Sequence, residues 1–303
     1  VHDVKYIDEA AVARVLRMDE LVPAMRRALI EFSERRVTQP TRRIIEVEAH
    51  GGFFASMAAG GANGVGAKLV SFYPNNDRLG LPTHQAVIVL FEPATGAPLV
   101  ALDGRLITEM RTAAVTAAYV DAVAPKNAKS LAILGAGTQG ASHIEALRCV
   151  REITDLRIWN RTPERAQTLA QATGGKAMER EAAVRGAEIV VVATSSKEPL
   201  LEGRWLAPGA TVASVGWAGR DVAELDAAAM AHTVIVDSRE GALAESGNIR
   251  LWKPEIHAEL GEVLNGSRPV PSGNTVVFVS MGMACEDIAA AMLVLNRLGI
   301  SRP

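Results

Sequence analysis

Cysteine is almost missing from this chain. Only Cys149 and Cys285 occur in 303 residues, far apart, which excludes a disulfide framework or a cysteine-rich zinc module and suits a reducing compartment. Aromatic residues make up 4%, too few for a stacking platform that would grip single-stranded nucleic acid. Neither sign of charge dominates: 32 Lys+Arg stand against 34 Asp+Glu, so no overall field draws in nucleic acid or an anionic membrane. The six histidines are scattered without an HExxH pair, and no metal site is expected. Long apolar runs are lacking too. The stretch from Ile189 to Ala193 is far short of the ~20 residues a bilayer helix needs. The opening Val1-His2-Asp3-Val4-Lys5 lacks the order of a secretory signal, so a cytoplasmic location is expected.

What is present suits a folded globule. Hydrophobic residues reach 49%, enough apolar surface to offset the entropy of ordering, and the length allows one large or two ordinary domains. In the first part, Leu21, Val22, Met25, Ala28, Leu29 and Phe32 recur on one helical face, with Asp19 as the expected N-cap. Short strand-like runs follow at 43–47, 53–58, 66–72, 86–91 and 98–102, and a Pro93-Ala94-Thr95-Gly96 turn separates the last two. Strands with so few helices between them predict an antiparallel or mixed sheet. The middle changes character. Apolar runs at 130–134, 156–159, 189–193, 211–215 and 234–236 alternate with helix-like sequence, the pattern of βαβ units and a parallel sheet. An Ala- and Leu-rich helix is expected over 283–298, returning to the first domain.

The sharpest motif is Gly135-x-Gly137-x-x-Gly140, between the first of those parallel strands and a helix. The first glycine permits the tight turn, the second admits a pyrophosphate to the backbone, and the third lets helix and strand pack closely. The helix start then offers free N–H groups and partial positive charge to the phosphates. Dinucleotide binding is the reading. After the second strand an NAD-selective site normally carries a carboxylate for the ribose 2′-hydroxyl. This chain has Asn160-Arg161-Thr162 instead: Arg161 would pair a 2′-phosphate, with Asn160 and Thr162 as neutral donors, so NADP(H) is favoured and NAD(H) is the alternative.

Three cations in apolar or Gly-rich surroundings, Arg42, Lys68 and Arg111, are candidates to clamp a carboxylate, although their spacing alone does not bring them together. At this point the chain resembles the ornithine cyclodeaminase/mu-crystallin family over essentially its whole length. The likeness rests on 66–73, Pro82-Thr83-His84-Gln85-Ala86, Arg111-Thr112-Ala113-Ala114, the glycine motif, 159–162, 236–240, 259–263 and 280–284. It implies an α/β fold. A Rossmann-type doubly wound parallel sheet (113–282) would join an α+β substrate-binding and dimerisation domain with a mixed or antiparallel sheet (1–112 plus 283–303), the whole forming a homodimer. It further implies that Arg42, Lys68 and Arg111 converge on a substrate carboxylate. The implied cofactor-binding set is Thr112, Gly135, Gly137, Thr138, Gln139, Asn160, Arg161, Thr162, Thr194, Val215, Gly216 and Met281.

The branches of that family differ in chemistry. True cyclodeaminases resemble one another in carrying an aspartate shortly after a Val-Gly pair. Here the segment reads Val215-Gly216-Trp217-Ala218-Gly219-Arg220-Asp221, with Ala218 at that position, and a methyl group neither accepts a proton nor orients an ammonium. Asp221 would need another loop path to substitute. The resemblance is closer to the mu-crystallin branch, which implies hydride transfer from NAD(P)H to a small cyclic or linear α-imino carboxylate, with Lys68 or His84 supplying the proton. Trp217 would narrow the pocket or simply pack. An ornithine cyclodeaminase-type or other amino-acid deaminating lyase or alanine dehydrogenase, and a non-catalytic NADPH-dependent ligand carrier, stand as alternatives.

Overall fold

The computed structural model describes residues 4–61, 64–217 and 219–300. It divides into two compact units, Val1–Arg111 with Met283–Pro303, and Thr112–Gly282.

In the first unit, seven strands form one sheet: β1 (Lys5–Ile7), β2 (Val37–Thr38), β3 (Arg43–Val47), β4 (Gly52–Gly61), β5 (Gly64–Phe72), β6 (His84–Phe91) and β7 (Pro98–Asp103). Their order is β1-β7-β6-β5-β4-β2, with β3 also on β4. Only β1 runs parallel to its neighbour, so the sheet is mixed. Side chains alternate across a pleated strand, and Ala55, Met57, Ala59, Val70, Ala86, Ile88, Leu90, Val100 and Leu102 fill the buried positions. Lys68 occupies the same phase of β5 as Val70, and the pleat therefore carries its ammonium indoors. The C-terminal helix Ala284–Arg297 packs on β4, β5 and β6 and against the helix Met18–Ser33. That second helix buries Leu21, Met25, Ala28, Leu29 and Phe32, as its spacing predicts. Its expected cap is wrong. Arg17 holds the N-cap position without a side-chain bond, and Asp19 lies inside the first turn. Asp8 caps a separate short helix, Glu9–Val15, by accepting from the Ala11 N–H at 2.8 Å.

The second unit is a doubly wound α/β domain. Its strands are β8 (Ser130–Leu134), β9 (Asp155–Trp159), β10 (Lys176–Ala177), β11 (Ile189–Val192), β12 (Thr211–Ser214), β13 (Thr233–Val236), β14 (Ile256–Glu259) and β15 (Val276–Val279). They are all parallel, in the order β10-β9-β8-β11-β12-β15-β13-β14. Strand order reverses between β8 and β11, and an open parallel sheet offers its ligand crevice at the carboxyl ends of the strands at such a switch point. The central strands are buried throughout and mostly apolar, as a parallel sheet covered on both faces requires. Elements outside the sequence reading include the helix Arg105–Val123 and the strands β14 and β15. No helix among the described residues is long and apolar enough to cross a membrane.

Candidate active site

A charged cluster is buried in the first unit. The Lys68 ammonium, 2% exposed, lies 2.6 Å from Asp287 Oδ2 and donates to Thr108 Oγ1 at 3.3 Å. Arg111 donates from Nε to Asp287 Oδ1 at 2.9 Å and from Nη1 to Glu286 Oε2 at 2.7 Å. Both carboxylates sit in the first turn of the C-terminal helix, where Glu286 also accepts the Met283 N–H and closes a capping box. Burial lowers the Lys68 pKa to about 8; Asp287 opposes that fall, while Arg111 and Arg42 add to it. Burial pushes Asp287 up, but Arg111 and Lys68 outweigh it and hold the carboxyl below its usual range. His84, at the head of β6 and paired across the sheet with Phe72, is half-buried. Its own burial, then Lys68 and Arg111, bring it down to about 4, and the ring is neutral at neutral pH.

The structure therefore brings Lys68 and Arg111 onto one shared aspartate, with Arg42 near enough to be felt at Lys68. Lys68 and Arg111 face the Asp287 and Glu286 carboxylates, with Arg42 close by and His84 neutral, so the site is rich in cationic N–H donors. An anion of one charge suits such a place.

The second unit holds the glycine loop. Gly135 has φ +118°, and a Cβ there would meet the Ala193 carbonyl oxygen at 2.3 Å. A Cβ on Gly140 would meet the Gly135 carbonyl oxygen at 2.1 Å, while one on Gly137 would meet nothing within 4 Å. Gly137 thus keeps open space in front of the helix Thr138–Arg148, whose N-cap makes no side-chain bond. The side-chain oxygen of Gln139, in the first turn, is buried without a partner among the described residues. Free N–H groups and an open approach fit a dinucleotide pyrophosphate.

Beside the loop, a cleft of about 190 Å³ is lined by Gly135, Gly137, Asn160, Arg161, Thr162 and Arg165. Asn160 is not a spare donor: its Oδ1 accepts from Ala136 N at 3.0 Å and its Nδ2 donates to the Thr162 carbonyl at 3.0 Å, bracing the loop. Thr162 is the N-cap of the helix Pro163–Thr173, and its hydroxyl makes no capping bond. Arg165, one turn on, is a cation the sequence reading missed.

At the carboxyl ends of β11 and β12, Thr194 and Gly216 are held by a buried carboxylate, and the Val215 N–H donates to the Val192 carbonyl at 2.9 Å. Glu224 accepts from Thr194 N at 3.1 Å and Thr194 Oγ1 at 2.6 Å, and from Ser214 Oγ at 2.9 Å and Gly216 N at 3.1 Å. Burial pushes its pKa up to about 7 against the pull of those four donors. Met281 N and Gly282 N donate to Asp237 Oδ2 at 2.6 and 2.7 Å. Thr112 follows Arg111 in the same helix and is buried; its carbonyl accepts from Thr116. Ala218 lies outside the described residues. Trp217 donates to the Glu245 carbonyl at 3.3 Å, and the exposed Asp221 pairs with Arg250 at 3.5 Å.

Sequence reasoning missed Glu286, Asp287, Glu224 and Asp237. Adjacent acids at a helix start read as ordinary dipole partners. The available signal was Asp287's phase: Ala291 and Val294, four and seven residues on, are buried.

The profile of the ornithine cyclodeaminase/mu-crystallin family matches residues 3–301. The chain is 41% identical over 285 residues to the ketimine reductase mu-crystallin of Mus musculus, covering 91% of each. It is 30% identical to a delta(1)-pyrroline-2-carboxylate reductase of Bacillus cereus over 298 residues, 92% of this chain and 91% of that one. Among solved structures, the delta(1)-pyrroline-2-carboxylate reductase of Thermococcus litoralis, in complex with NADH and L-proline, superposes with a TM-score of 0.93 at 33% identity. That match covers 99% of this chain and 100% of the other.

Proposed function

The chain belongs to the ornithine cyclodeaminase/mu-crystallin family, and from that premise we propose that it is an NAD(P)H-dependent reductase of small cyclic or linear α-imino carboxylates. The observation that carries this reading is the buried array in which Asp287 and Glu286 fix Lys68 and Arg111 side by side as cationic donors for one carboxylate. Its relatives that reduce ketimines and pyrroline-2-carboxylate, and the one held with NADH and proline, support it.

Arg42, Lys68 and Arg111 orient the substrate by its carboxylate, which turns a loose encounter into a fixed approach. The imine nitrogen must gain a proton to accept a hydride. Lys68 is the donor: at a pKa of about 8 it carries that proton at neutral pH, whereas His84, at about 4, does not. Asp287 and Thr108 engage two of the ammonium's three N–H bonds, and the third is left for the substrate. That N–H bond breaks as the new one forms on the imine nitrogen, and Lys68 becomes a neutral amine. His84 is a neutral wall of the site, a narrower role than the sequence suggested. When bound, NAD(P)H supplies the hydride. Gly135, Gly137, Thr138 and Gln139, with Thr112, would hold its pyrophosphate, and Thr194, Val215, Gly216 and Met281 its nicotinamide end. The homodimer would form through the outer face of the first sheet, which exposes Ile45, Phe54, Val65 and Leu69.

Preference for NADP(H) is part of the proposal. Arg161 and Arg165 share the cleft beside Gly135, which no Asp or Glu lines. Reduction of pyrroline-2-carboxylate or piperideine-2-carboxylate, followed by the absorbance of the reduced nicotinamide, tests the activity. Ammonia released from ornithine without added cofactor would overturn it. Arg161→Asp should weaken NADPH far more than NADH; equal loss would remove Arg161 from the 2′-phosphate site.

A further inference from the structure

We infer that Glu224 is a positioning residue whose fixed negative charge, set behind the carboxyl ends of β11 and β12, biases the bound nicotinamide toward its oxidised form. The inference rests on the reading that the second unit holds a nicotinamide dinucleotide, and it assigns to Glu224 a role beyond support of the loop.

The geometry makes the carboxylate an acceptor four times over. Thr194 N and Gly216 N are backbone donors and have no alternative direction. The two hydroxyls are oriented as well: Thr194 Oγ1 already accepts from Ser196 N at 3.2 Å, and Ser214 Oγ from Asn248 Nδ2 at 3.0 Å, so each turns its proton to Glu224. Asn248 also fixes the backbone beneath, accepting from the Glu224 and Leu225 N–H groups at 3.0 and 3.2 Å. Four inward-pointing donors hold an anion; a protonated carboxyl would set its own hydrogen against one of them.

Glu286 and Asp287 meet Arg111 and Lys68, but Glu224, at 3% exposed, pairs with no Lys, Arg or His among the described residues. An uncompensated buried charge is costly even when its hydrogen bonds are complete.

The position explains the charge. Glu224 lies directly behind Gly216: a Cβ on that glycine would sit 2.1 Å from Glu224 Oε1. The carboxylate thus touches the backbone at the carboxyl ends of both strands, where the sheet's crevice opens. The reduced pyridine ring is neutral. The oxidised ring would carry a unit positive charge. The Glu224 anion, already fixed beside the strand ends, would favour that charged form without reorganisation.

The test is the ratio of dissociation constants, oxidised over reduced, for NADP+ and NADPH, read by fluorescence titration without substrate at about pH 8.5, above the Glu224 pKa of about 7, where the carboxylate is ionised. Glu224→Gln should raise that ratio about tenfold, the scale of one charge acting on another across roughly 12 Å at an effective dielectric of about 20. Glu224→Asp, which keeps the charge but draws it back by one methylene, should raise it by a smaller factor, and it carries the test if the glutamine variant does not fold. A merely structural role weakens both nucleotides together; a ratio that moves less than twofold in the folded variants overturns the inference. Wild-type protein that binds neither nucleotide overturns the underlying reading, and this inference with it.

Discussion

Asp287→Asn puts the proton-donor assignment at risk. The carboxylate is fully buried and joins Lys68 at 2.6 Å to Arg111 at 2.9 Å. Asparagine has nearly the same shape, but its amide nitrogen must face one of two cationic donors, and the charge that balanced them is gone. Breaking a buried ion pair by removing one partner costs about 3–5 kcal/mol. Glu286 still holds Arg111 at 2.7 Å, which places the loss near the lower end, measurable by urea unfolding. The second effect is chemical. Asp287 is the group that supports the Lys68 pKa against burial, Arg111 and Arg42, and with it gone that value falls below about 8. Protonated Lys68 is the donor, so imine reduction declines as pH rises through its pKa. A charge-assisted hydrogen bond is worth about 1.5–3 kcal/mol and one pH unit about 1.36, so the alkaline limb of kcat should move down by about one to two pH units. The substrate titrates identically with both enzymes, and the difference between their profiles belongs to the protein. An alkaline limb that stays in place while stability drops would leave Asp287 a structural group and Lys68 without its role.

Two further perturbations probe the second unit. Gly137 has φ −93° and ψ −169° with open space at its Cβ position. Gly137→Ala should therefore alter stability by less than about 1 kcal/mol, yet crowd the pyrophosphate and weaken dinucleotide binding by at least about tenfold. Gly140→Ala, pressed against the Gly135 carbonyl, should cost about 1–3 kcal/mol and lower Tm by itself. Equal Tm losses, or wild-type nucleotide affinity in the Gly137 variant, would refute this division of labour. His143 is fully buried, bonded to the Gln139 carbonyl at 2.7 Å and Thr116 Oγ1 at 3.0 Å, and burial lowers its pKa from 6.5 to about 4. The folded state then binds fewer protons than the unfolded one between those values. Stability present above pH 6.5 is lost as pH falls toward 4, at about 1.36 kcal/mol per pH unit for this one proton. His143→Gln should flatten the stability–pH slope by that amount across the window, leaving the part due to His84; an unaltered slope would dismiss the assignment.

Features that depend on neighbours in sequence were the legible ones. Apolar alternation placed β3 to β7, and the glycine spacing placed the loop because turn, approach and packing are all decided within six residues. The misplaced cap shows where local signals compete: Asp8 and Asp19 both precede helical faces, and only the backbone's break before Met18 decides between them. The helix Arg105–Val123 escaped because Thr108, Arg111, Thr112 and Thr116 interrupt its buried face. Those interruptions are the chemistry. Lys68 on the inward phase of β5 and Asp287 on the inward face of the C-terminal helix each break a hydrophobic pattern, and neither charge is tolerable there alone. What makes them tolerable is the other, and Arg111 is bonded to that same aspartate across 176 residues of chain. A single sequence reports that a charge has entered the core; only the fold reports what answers it.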